Sequence, residues 1–238
     1  MSINLYRYAS PPVLYSMLNR VVPWIALAAA ILLVAGLYVS FFVAPTDFQQ
    51  GDVYRILFIH VPAAWMAMLL YVLMSIYAAI GWAYRIRVSS MMASALSITG
   101  AMFTLISLLT GAIWGKPTWG TWWVWDARMT STLILLFLYI GFIALQMSFE
   151  DPQRADRAGA IVAIIGLINV PIIYLSVQWW NTLHQGATIR IIRQSTIAPP
   201  MLAAFLLMLA ACWLYSAAVV LGRLSCIIAE REPLEATR

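Results

Sequence analysis

The chain of 238 residues is 63% hydrophobic and only 10% charged, with a mean hydropathy of +0.87. A soluble domain is about a quarter charged and roughly half apolar, so this composition excludes a water-soluble globule, a disordered chain and a coiled coil. In so apolar a chain the formal charge of +5, from 14 Lys and Arg against 9 Asp and Glu, speaks to membrane topology rather than to nucleic acid.

Six stretches free of Asp, Glu, Lys and Arg follow one another, at about 22–43, 58–83, 91–114, 130–149, 158–180 and 199–221. Each has 20 residues or more, enough for a helix to cross a hydrocarbon core of about 30 Å. The expected fold is an all-α integral membrane protein, a single six-helix transmembrane domain over 1–238 with no room for a soluble domain. The first stretch is too long for a signal-peptide h-region and lacks a small-x-small cleavage site, so it counts as a span. Sorting Lys and Arg by alternate sides puts Arg7, Arg20, Arg85, Arg87, Arg154, Arg157, Arg223, Arg231 and Arg238 on one side. The other side holds Arg55, Lys116, Arg128, Arg190 and Arg193. The excess on the first side makes it cytoplasmic and places both termini there, although Arg190 and Arg193 run against the bias. The cytoplasmic turns, with Arg85 and Arg87 in one and Glu150 to Arg157 in another, read as topology and solubility signals.

The outer side carries the residue types that bind ligands. Its first loop, 44–57, holds Asp47, Gln50 and Arg55. His60 opens the second span in Phe58-Ile-His60-Val-Pro62, with Pro62 suited to the first helical turn. The middle outer loop, 115–129, sits between helices 3 and 4. With its flank it reads Trp114-Gly-Lys-Pro-Thr-Trp119-Gly-Thr-Trp122-Trp123-Val-Trp125-Asp126-Ala-Arg128. Tryptophan favours the membrane–water interface, which accounts for one or two at a helix end, such as Trp24 and Trp82. Five of the chain's 11 Trp crowd into this loop and its edge, more than anchoring requires. Gly115, Pro117 and Gly120 are expected to break the helix. Were the chain to coil again from Thr121, Trp119, Trp122 and Trp123 would share one face at i, i+3 and i+4. That shelf would suit a large planar ligand with apolar faces and a charged edge.

Asp126 directly precedes the fourth span and is suited to cap it. Arg128 then falls in the first turn, where the helix dipole disfavours a cation. Either a ligand carboxylate or an ion pair with Asp126 would justify it. The chain's 2 histidines both fall at outer edges: His60, and His184 after the fifth span, four residues past Trp180. Two readings stand for this pair, axial ligation of a heme iron between two helices or interfacial imidazoles bonded to backbone and headgroups. Pro171 is expected to kink the fifth span. Cys212, inside the sixth span, and Cys226, just beyond its cytoplasmic end, would lie about 21 Å apart on a continuous helix, too far for a disulfide. No Cys-x-x-Cys-His occurs, no span carries an ionisable group at its centre, and there is no P-loop. These absences argue against a c-type cytochrome, a proton-coupled transporter and an ATPase.

The run Trp119-Gly-Thr-Trp122-Trp123-Val-Trp125-Asp126-Ala-Arg128-Met-Thr130-Ser131 closely resembles the tryptophan-rich "WWD" signature of heme-handling proteins in c-type cytochrome biogenesis. The six-span, two-histidine layout resembles the CcmC (heme exporter protein C) family over essentially the whole chain. The resemblance implies a non-enzymatic protein of the bacterial inner membrane that binds heme b at the periplasmic face. From there it passes heme to the chaperone CcmE, which captures it covalently through its own histidine. The implied partners are the small subunit CcmD and the transporter pair CcmA and CcmB. Carried over by position, His60 and His184 match the iron ligands. Trp114, Trp119, Trp122, Trp123, Trp125 and Asp126 match the platform. The propionates need cations, for which Arg suits carboxylates well. Of Arg55, Arg128, Arg190 and Arg193 on the outer side, Arg55 and Arg128 are the first choices because each lies near an expected site residue. Asp47, Gln50 and Arg55 offer a docking surface for the chaperone. The alternative is a membrane scaffold or permease subunit that ligates no heme.

Overall fold

The computed structural model describes residues 10–180 and 198–232. Seven helices account for nearly all of them: α1 (Pro11–Tyr38), α2 (Leu57–Tyr84), α3 (Arg87–Trp119), α4 (Ala127–Ser148), α5 (Pro152–Gly166), α6 (Asn169–Trp179) and α7 (Pro199–Arg231). Joined where the axis continues, they make six segments long and apolar enough to cross a membrane. The helices outrun the charge-free stretches. α1 starts at Pro11, a residue that fits the first helical turn because its missing N–H has no partner there anyway. α7 runs past Arg223 to Arg231. Absence of charge marks the depth of the hydrocarbon, whereas the helices continue through the interface on both sides.

The expected break at Gly115 and Pro117 is not found. α3 continues through Gly115-Lys116-Pro117-Thr118 to Trp119 and stops only at Gly120, which takes the left-handed conformation (φ 80°) and donates its N–H to the Lys116 carbonyl. A proline this near a helix end leaves few carbonyls unpaired. The Thr118 hydroxyl also bonds the Trp114 carbonyl at 2.7 Å and holds the last turn. Nor does the chain coil again at Thr121: residues 121–126 are non-helical. Trp119, Trp122 and Trp123 therefore share no helical face. Pro171 acts where its chemistry predicts. Its ring opposes the carbonyl four residues back, that of Leu167, and the fifth segment breaks at Leu167–Ile168 between α5 and α6.

α2 packs most extensively on α3, and α1 on α7. A core of Met74, Tyr71, Leu135, Tyr139, Phe142 and their neighbours fills the space between α2, α3, α4 and α5. The two tyrosines sit edge to face, with ring centroids 5.0 Å apart. Both hydroxyls are satisfied by neighbouring backbone: Tyr139 donates to the Ala67 carbonyl at 2.8 Å and Tyr71 to the Val162 carbonyl at 3.3 Å. Small residues make room for them. Tyr139 lies where a Cβ on Gly100 would be, and Tyr71 where one on Gly166 would be. Asn169 crosses from α6 to donate to the Ser131 carbonyl of α4 at 2.8 Å. α1 buries only Leu18, Ala29 and Gly36, as expected of a helix facing lipid. Cys212 and Cys226 both lie on α7 and are unbridged.

Candidate functional site

The polar and aromatic chemistry gathers at the end of the bundle where α1 and α3 finish and α2 and α4 begin. Past α1 a π-helical turn, Val39–Val43, leads into a tight turn at 45–51. Asp47 and Gly51 exchange backbone hydrogen bonds of 3.3 and 3.0 Å. The Asp47 carboxylate accepts the N–H groups of Gln49 and Gln50 at 2.9 and 2.8 Å. Gly51 has φ 59° and ψ −138°, a conformation almost confined to glycine. Tyr54 donates its hydroxyl to the Pro45 carbonyl at 2.6 Å, fastening the turn to the short 3-10 helix Asp52–Ile56 that leads into α2.

His60 stands in the first turn of α2, half-buried. Its Nδ1 lies 3.0 Å from the Thr110 hydroxyl of α3. A Cβ on Gly111 would come within 3.1 Å of the imidazole Cε1, so that glycine gives the ring its seat. One turn further along α3, Trp114 meets the imidazole edge to face, with centroids 5.8 Å apart at 76°. The Trp114 indole N–H in turn donates to Gln50 Oε1 at 2.7 Å. Residues 50, 60, 110 and 114, from a turn and two helices, thus form one contiguous cluster around a histidine.

The tryptophan loop adds a second group. Trp119 packs on Gly115 at the end of α3. Trp123 and Trp125 stack edge to face with centroids 5.3 Å apart. Trp122 and Trp125 are 56% and 75% exposed, large apolar surfaces turned outward from the protein. The Trp123 indole N–H is buried and has no hydrogen-bond acceptor among the described residues. Asp126 caps α4 as its position foretold, its carboxylate accepting the Met129 N–H at 2.7 Å.

The two arginines proposed for an anionic ligand differ. Arg55 is only 15% exposed and is held inside the chain, its Nε on Asp52 at 3.0 Å and another nitrogen on the Ser40 carbonyl in the π-helical turn. Arg128 is partly buried near Asp126, and no hydrogen bond or ion pair among the described residues engages its guanidinium. Asp47 and Gln50 are likewise committed to the turn and to Trp114, so that Phe48, fully exposed, and Gln49 form its outward face. His184, Arg190 and Arg193 lie outside the described residues. Sequence reasoning missed Thr110 and the inward role of Gln50, for neither carries a motif and each acts through contacts 50 or more positions away.

These features define a polytopic helical membrane protein in which a half-buried imidazole, a cluster of indoles and the Arg55 and Arg128 guanidinium groups meet at one end. Residues 4–238 match the family model of heme exporter protein C. The heme exporter protein C of Escherichia coli (strain K12) is 49% identical over 185 residues, 78% of this chain and 76% of that protein. That of Bradyrhizobium diazoefficiens is 47% identical over 187 residues, covering 79% and 71%. That of Haemophilus influenzae is 43% identical over 203 residues, covering 85% and 82%. The chain belongs to the heme exporter protein C (CcmC) family of heme-handling membrane proteins.

Proposed function

We propose that this protein binds heme b at its His60 end, turned toward the periplasm of a bacterial inner membrane, and delivers it to the chaperone CcmE in c-type cytochrome maturation. It works beside CcmD and the transporter pair CcmA and CcmB, as a binding and transfer protein rather than a catalyst. The observation that carries this reading is the seating of His60. A half-buried imidazole has one ring nitrogen held by Thr110 and meets Trp114 edge to face, the kind of hydrogen-bonded support that metal-binding histidines usually have. His184, four residues beyond Trp180, would supply a second nitrogen to hold the iron.

The other residues of this end fit the same ligand. A heme carries two carboxylates on an apolar ring. Among the described residues the buried Trp123 N–H has no hydrogen-bond acceptor and no hydrogen bond engages the Arg128 guanidinium, so both can take the acceptor a carboxylate provides. Trp119, Trp122 and Trp125 supply indole surface for the ring, Trp114 borders the iron ligand, and Asp126 sets the start of α4 beneath them. Held by His60 and His184, heme would supply the iron and the vinyl groups that the chaperone captures. Asp47, Gln50 and Arg55 brace the turn that forms the docking surface.

A visible spectrum of the protein purified from heme-replete cells tests the reading. A Soret band is expected, weakened and shifted by His60→Ala and by His184→Ala. A colourless wild-type protein would overturn the proposal and favour a scaffold or permease subunit whose tryptophans only set helix depth.

A further inference from the structure

We infer that Thr110 is a positioning residue that locks His60 in the Nδ1–H tautomer, leaving Nε2 as the nitrogen offered to iron. This rests on the proposed role of His60 as a heme ligand and extends it to a residue on another helix. The argument is a count of protons. A threonine hydroxyl has one proton and two lone pairs. Thr110 Oγ1 lies 2.6 Å from the Ile106 carbonyl and 3.3 Å from the Ser107 carbonyl, and a carbonyl can only accept. The proton is therefore spent within α3, in the back-bond that helical threonines commonly make. What the hydroxyl presents to His60 Nδ1 at 3.0 Å is a lone pair, and Nδ1 must be the donor.

The opposite tautomer would need Thr110 to abandon both carbonyls and turn its proton to the imidazole, with Nε2 then protonated and closed to a metal. The Nδ1–H bond to an oxygen also makes Nε2 a stronger donor to iron. The fit is steric as well as polar. Gly111 admits Cε1 and the Trp114 ring closes the neighbouring side, so the imidazole is held from three directions by one helix.

The test begins without heme. The apo full-length protein, freed of any histidine tag, is labelled with 15N-histidine in a His184→Ala background so that His60 alone reports. Protonated and bare ring nitrogens resonate in separate regions, and the expected spectrum has Nδ1 protonated and Nε2 bare. A bare Nδ1 overturns the proposal with no further variant needed. Thr110→Ser should preserve that spectrum, whereas Thr110→Val, of nearly the same shape, should give a mixture of tautomers. With His184 restored and heme loaded, Thr110→Val should lose heme about tenfold more readily and raise the heme midpoint potential, with Thr110→Ser restoring both. A Thr110→Val protein with unchanged tautomer and unchanged retention overturns the proposal. If the Nδ1–H tautomer is present while His60→Ala leaves the visible spectrum untouched, the tautomer lock stands and the ligand reading alone falls.

Discussion

Arg55 and Arg128 stand at the starts of two helices at the same end of the bundle, yet their surroundings ask opposite things of them. Arg55 serves the fold. The π-helical turn after α1 leaves the Ser40 carbonyl to be satisfied from outside, and the guanidinium supplies that bond while Asp52 balances its charge. Arg128 carries a desolvation cost that the charge of nearby Asp126 offsets only in part. It is partly buried, in a first turn where the dipole opposes a cation, and no side chain or carbonyl among the described residues bonds its guanidinium. A desolvated guanidinium with no hydrogen-bond partner among the described residues is poised for a partner from outside. Leucine at each position should separate the roles. Arg55→Leu is expected to destabilise the apo protein by about 1.5–3 kcal/mol, the worth of hydrogen bonds to a charged group. Arg128→Leu should leave its melting temperature unchanged or raised while heme retention falls. Thermal unfolding of the purified apo proteins, read beside their heme content, checks both. An Arg128→Leu protein that melts lower and retains heme would return Arg128 to a structural role.

The helices show a similar division between what sequence pattern reveals and what only packing decides. Pro171 was legible because its effect is local: a missing N–H and a ring against the Leu167 carbonyl place the break four residues upstream. Asp126 was legible for the same reason, its carboxylate capping the residues just after it. Pro117 was misleading, because a proline is tolerated one turn from a helix end that Gly120 terminates. Gly100 was not legible at all. In isolation, a helical glycine invites replacement by alanine, worth about 1 kcal/mol in helix propensity. Here the Tyr139 ring occupies the space of the missing Cβ, and that ring is fully buried and anchored on Ala67. Gly100→Ala should therefore reverse the usual sign and destabilise by about 1–3 kcal/mol through overpacking. Gly141→Ala, where a Cβ would meet nothing within 4 Å, should be neutral or stabilising. Thermal unfolding of the two single variants side by side decides the point.

At the scale of the whole molecule, six charge-free runs were enough to count the membrane crossings, because hydrocarbon penalises charge strongly and locally. The cluster around His60 could not be counted that way. Positions 50, 60, 110 and 114 come together only once α2 lies along α3 and the 45–51 turn folds over them, and no periodicity records that. Orientation lies between the two cases. The packing puts both described ends of the chain at the pole opposite His60: Asn19 of α1 bonds Ser225 of α7 at 2.8 Å, and Glu232 pairs with Arg87 at 3.0 Å. We propose that this pole faces the cytoplasm, as the positive-inside rule predicts from its surplus of arginine. Two exposed positions report on the poles. Phe48 is fully exposed on the turn beside the His60 cluster, and Cys226 is exposed near the end of α7. In a Cys212→Ser, Phe48→Cys protein, a membrane-impermeant maleimide applied to intact spheroplasts should label position 48 at once. Cys226 should react only after the membrane is permeabilised. Labelling of Cys226 in sealed spheroplasts with position 48 protected would invert the protein, put the imidazole and tryptophan end in the cytoplasm, and remove it from any periplasmic acceptor of heme.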